Sequence, residues 1–198
     1  MFIRRSPSGV PYLPSVDEAI ARAPAKPASS LRLGLLFLAI FVLLQTCWNA
    51  ASGTTIERLL IDQATVAAAA VWVRILTPDL DVIAVGTTLT APGGGINVLK
   101  GCEGTEVVFL LLAAFAVAHM SWRARLTGMV VGTMLVYVLN QIRVIALFYA
   151  YRQDPVLFDQ LHGTLGPLTM ILLVGAYYFF WLARSAPRPV AHDARQAA

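Results

Sequence analysis

From Leu31 to Ala51 the chain runs for 21 residues with one charge, Arg32, near its start. A stretch of roughly 20 apolar residues covers the hydrocarbon layer of a bilayer as a helix. In lipid the backbone must satisfy its own polar groups, so a lone apolar run of this kind has helix as its solution. Three further runs follow: Thr105 to His119, Leu126 to Tyr151 with Arg143 inside it, and Leu165 to Ala183. Pro167 falls in the first turn of the last run, where a helix tolerates proline. Composition agrees, with 58% hydrophobic residues, 13% charged and a mean hydropathy of +0.69, values outside the range of an ordinary soluble domain. The expected fold is an all-α membrane protein, a four-span transmembrane helical bundle.

Two segments between the first and second runs do not fit that pattern. Thr54 to Leu76 carries Glu57, Arg58, Asp62, Gln63 and Arg74, which leave an uncharged stretch too short to cross alone. Ile56, Leu59, Leu60, Ala64, Ala67, Val71 and Ile75 recur at helical spacing, so an additional interfacial helix is expected there. If it crosses instead, the sidedness of everything after it reverses. Val82 to Leu89 and Ile96 to Leu99, separated by Pro92, Gly93, Gly94 and Gly95, read as a small outer β-hairpin. Residues 1–30, with scattered prolines and Arg4, Arg5, Arg22 and Lys26, read as a flexible cytoplasmic tail. Residues 31–184 read as one transmembrane domain and 185–198 as a second cytoplasmic tail.

Basic residues set the orientation. With the N-terminus inside and four spans, ten of the 15 lysines and arginines fall on the inner side, among them Arg123, Arg125, Arg184 and Arg188. These residues flank spans, so the basic balance implies no nucleic-acid partner.

Cys102, Arg143 and His162 then reach one depth. Cys102 precedes the second span and His162 the fourth, both at the outer end. Arg143 lies 18 residues beyond Arg125, about 27 Å along the third helix, near the same interface. A thiol at a helix N-terminus beside a guanidinium is biased toward thiolate, the form that attacks a carbonyl. Cys102 is the candidate nucleophile, His162 the candidate base and later acid, and Arg143 the oxyanion or substrate holder. Asn140, one turn before Arg143, is placed either to orient the guanidinium or substrate or to tie two helices together. Glu103 and Glu106 read as helix-start acids, while His119 and His192 fall on the inner side. The Cys and His spacing does not make a metal motif, and no cofactor is expected.

Two readings from other classes stay open. A non-catalytic membrane assembly or scaffold protein would use a structural Cys47–Cys102 disulfide, with Arg143 anchoring a partner helix. A thiol oxidoreductase would use both cysteines, although C-x-x-C spacing is lacking.

The chain resembles the exosortase/archaeosortase family, membrane-embedded cysteine enzymes, and most of all the short exosortase H type. Gly101-Cys102-Glu103-Gly104 is similar to the family's Cys-x-Gly element, Asn140-Gln141-Ile142-Arg143-Val144 to its Asn-x-x-Arg element, and Leu161-His162-Gly163 to its histidine element. The likeness runs from about Gly53 to Ala183. It departs in having fewer spans than larger members and in Glu103 after the cysteine. The resemblance implies a cysteine peptidase or transpeptidase with Cys102, Arg143 and His162 as its catalytic set. Its substrates would be exported proteins bearing a C-terminal sorting signal, whose transmembrane tail is removed and whose acyl group passes to an unknown acceptor. It further implies a multi-pass protein of the bacterial plasma membrane, with the site facing the periplasm or exterior.

Overall fold

The computed structural model describes residues 30–185. The two tails expected at 1–30 and 185–198 lie almost wholly outside that range.

Helix α1 spans Ser30–Ala50 and α2 Thr55–Leu76. After a three-stranded sheet come α3, Thr105–Val117, α4, Trp122–Gln153, and α5, Pro155–Ser185. The protein is an all-α membrane protein carrying one small sheet. Four helices are long and apolar enough to cross a bilayer, α1, α2, α4 and α5.

That number matches expectation, but its membership does not. α2 is one continuous helix of 22 residues: Glu57 and Arg58 sit in its first turn and Arg74 near its last, and between them the helix is apolar apart from Asp62 and Gln63. α3 has only 13 residues, about 20 Å, and is shorter than a normal span.

The contacts of α2 nevertheless keep both of its ends beside the Cys102 end of the bundle. Near its start, Glu57 pairs with Lys100 at 3.5 Å. In its middle the carbonyl of Ala64 accepts hydrogen bonds from Tyr137 Oη at 2.9 Å and Gln141 Nε2 at 3.0 Å. At its far end Thr77 hydrogen-bonds Tyr149, and Arg74 donates to the carbonyl of Val82 at 2.9 Å. Residues 59–67 take wider π-helical turns, which alter the ordinary carbonyl ladder where Tyr137 and Gln141 dock.

The segment expected as a two-stranded hairpin is a three-stranded antiparallel sheet: β1 Ile83–Val85, β2 Thr88–Ala91 and β3 Gly94–Asn97, in that order. The apolar run at 82–89 is broken by a two-residue turn at Gly86-Thr87. A second turn, Pro92-Gly93, joins β2 to β3, and Gly93 adopts φ +93°, the left-handed conformation that proline followed by glycine suits.

Two apolar cores result. One gathers Ile61, Val66 and Val73 of α2, Leu89 and Ile96 of the sheet, and Val144, Leu147 and Phe148 of α4. The other packs Leu111 and Phe115 of α3 against Val136 of α4 and Met170 and Val174 of α5. Lipid solvates the remaining apolar faces, such as Val130, Met134, Val138 and Ile142, which recur every fourth residue along α4. The turn between α3 and α4 is closed by Ser121, whose hydroxyl accepts from Ala124 N, and by Arg125, which donates to the Ala118 carbonyl at 2.8 Å.

Candidate active site

Cys102 sits in the loop between β3 and α3. Its N–H donates to the Leu99 carbonyl at 2.9 Å, and the helix begins only after Gly104, its N-cap, at φ +82°. A Cβ at Gly104 would lie 3.1 Å from Asn140 Cγ, so this glycine allows both the turn and the close approach of α4.

The loop is fastened from three directions. Trp48 Nε1 donates to Glu103 Oε1 at 3.0 Å and Thr105 Oγ1 donates to the same oxygen at 2.8 Å. Lys100 reaches back to the Ser52 hydroxyl, and its ammonium lies 5.3 Å from the Trp48 ring centre. Glu103 is therefore a buried structural acid, a role its position in the sequence did not distinguish from ordinary helix-start placement.

The three expected site residues occupy adjoining positions. The Arg143 guanidinium stands close enough to the Cys102 sulfur to stabilise its thiolate. His162 and Cys102 line one cavity of about 150 Å³, together with Gly95–Val98 of the sheet segment, Val144, Leu147 and Tyr151 of α4, and Phe158 of α5. The imidazole stacks on Phe158, with ring centres 5.6 Å apart and planes 4° from parallel, and makes no hydrogen bond to the thiol. Arg143 stands between the thiol and a lipid-side groove formed with Leu161, Leu165 and Gly166 of α5. Its Nε is buried and without a partner.

Two sequence expectations are corrected. Burial pushes the Cys102 thiol above its ordinary value, against the lowering effect of Arg143; Glu103 and Glu106 add to the rise. The thiol is thus protonated at rest, rather than favoured as thiolate. Second, His162 does not head the last helix. Asp154 caps that helix, its carboxylate accepting from Val156 N and Leu157 N, and Pro155 occupies the first turn. His162 lies inside α5, in a π-helical turn at Leu161–Leu165, so no helix N-terminus acts on it.

Asn140 is 2% exposed, packed against Gly104 with its Oδ1 unpartnered, and does not line the cavity. Cys47 is a free thiol on an exposed side of α1 and is not bonded to Cys102. Among the described residues no group of three His, Cys, Asp or Glu could hold a metal ion. Sequence reading missed Phe158 and Tyr151 as cavity walls. The spacing of Phe158 and His162, four apart on one helix, is the signal that would have paired them.

Fold and site together define a multi-pass membrane protein with a thiol, a guanidinium and an imidazole at one end of its bundle. The family model described as Transmembrane exosortase (Exosortase_EpsH) matches residues 19–181, and the chain belongs to that family. No curated protein and no solved structure matches it.

Proposed function

We propose that the protein is a membrane-embedded cysteine peptidase or transpeptidase that removes the C-terminal transmembrane tail of exported proteins and passes them to an acceptor. The observation that carries this reading is the Cys102 sulfur, beside the Arg143 guanidinium and sharing a cavity with His162. It acts at the outer face of a bacterial plasma membrane, the side to which the basic-residue asymmetry assigns this end of the bundle.

The chemistry follows from the resting thiol. His162 takes the Cys102 proton as the sulfur attacks the scissile carbonyl, and a C–S bond forms. Arg143 donates hydrogen bonds to the developing oxyanion, the role open to a side chain that is always a donor and never a base. The C–N bond then breaks, His162 returns its proton to the leaving amine, and the tail departs. Water or an acceptor amine next attacks the thioester, releasing the product and restoring the thiol. Because the imidazole stacks on Phe158, rotation about its side chain toward the sulfur is part of the proton transfer.

Mass spectrometry of a co-expressed exported reporter ending in a single apolar span tests the proposal. Wild type trims the reporter's C-terminus and Cys102→Ala, at equal abundance, leaves it intact. Trimming by Cys102→Ala would refute the assignment.

A further inference from the structure

β3 pairs only with β2 and so forms one edge of the sheet. Val98 N–H donates to the Thr87 carbonyl at 2.8 Å. In an antiparallel ladder hydrogen-bonded and non-bonded pairs alternate. Stepping along the register from that bond puts Leu89·Ile96 and Ala91·Gly94 in the bonded phase, and Thr88·Asn97 and Thr90·Gly95 out of it. The N–H and C=O groups of Gly95 and Asn97 therefore point away from β2. Both residues line the cavity that contains Cys102 and His162. Among the described residues these groups have no hydrogen-bond partner.

An open strand edge is a template for another chain, and proteins ordinarily cover or blunt it. Here Gly95 has no side chain with which to do so. The incoming chain has a matching need. A peptide bond inside a helix is shielded from a nucleophile, so a segment cut next to a spanning helix must leave the helix, and its freed N–H and C=O groups then lack partners at the membrane surface.

We propose that β3 receives the extended segment of a substrate chain as a fourth strand, by hydrogen bonds to Gly95 and Asn97, which lays the peptide bond beside Cys102. This rests on the cleavage reading above. Main-chain pairing supplies affinity independent of sequence, and the apolar wall of Val144, Leu147 and Phe158 selects an apolar side chain on alternate residues of the bound strand.

Cysteine cross-linking tests it. The enzyme carries Asn97→Cys, Cys47→Ser and Cys102→Ala, and single cysteines are placed in turn through the segment preceding the reporter's apolar span. Disulfides form at every second reporter position, the period of a strand. A three-to-four residue period, a uniform pattern, or no cross-link to a reporter that wild type trims would overturn strand addition and leave the cleavage reading intact. A wild-type enzyme that leaves the reporter untrimmed removes the cleavage reading, and strand addition with it. As a second measurement with Cys102 intact, Asn97→Pro removes one outward N–H without touching the β2 ladder. It trims about tenfold more slowly than Asn97→Ala, the effect of one lost hydrogen bond; equal rates at equal abundance would count against the pairing.

Discussion

Trp48 Nε1 donates a 3.0 Å hydrogen bond to Glu103 Oε1, fastening the last turn of α1 to the residue after Cys102. The indole is 6% exposed and the carboxylate 9%, so neither group has ready solvent to fall back on. Trp48→Phe keeps the ring packing but removes the donor, leaving a buried carboxylate with less compensation. The cost is about 1–3 kcal/mol of stability, read as a lowered melting temperature in detergent. An unchanged melting temperature would show that the loop does not depend on this tie.

The charges around Cys102 have opposite effects on its thiol. Burial and the two glutamates raise its pKa, and Arg143 lowers it. In a Cys47→Ser background, the pH profile of Cys102 alkylation should move to higher pH in Arg143→Gln and to lower pH in Glu106→Gln. The sign follows because alkylation needs thiolate, which a nearby cation stabilises and a nearby anion destabilises. Shifts in the same direction for both variants would contradict the arrangement.

Gly166 and Gly163, three residues apart in α5, should respond differently to alanine. A Cβ at Gly166 would run into the Leu161 carbonyl and lie 2.9 Å from Arg143 Nε, whereas one at Gly163 meets nothing within 4 Å. Gly166→Ala should cost about 1–3 kcal/mol and reduce trimming by displacing Arg143, while Gly163→Ala preserves the melting temperature. Equal thermal stability of the two variants would argue against the π-helical turn.

Sidedness can be tested on intact cells. With Cys47→Ser, a membrane-impermeant maleimide should label Cys102 from outside without permeabilisation. Labelling only after permeabilisation would mean that α2 crosses the bilayer and that the orientation is reversed.

How much of this could be read from residues alone varies with the physics. Arg143 stood out because a charge inside an apolar run is costly, and Cys102 because it borders such a run. The last apolar run, read as starting at Leu165, put His162 ahead of it; the helix start is instead set by Asp154-Pro155, earlier in the chain than His162. α2 was ambiguous because Asp62 interrupts its apolar run, while its π-helical middle, residues 59–67, departs from ordinary helical spacing. The glycines at 93–95 read as turn; two of them belong to β3, because pairing with β2 outweighs their weak strand preference. The net rise in the thiol pKa depends on burial by α2, the sheet and α4 together, which no local pattern encodes.

The central claim is that the Cys102 sulfur forms the bond to the substrate, and a trapped thioester reports it most directly. Mass spectrometry of the enzyme isolated with the tail-bearing reporter should find the Cys102 peptide carrying an acyl adduct that hydroxylamine removes, absent from Cys102→Ala. A reporter trimmed as fast by Cys102→Ala as by wild type, with no adduct at residue 102, would contradict the account.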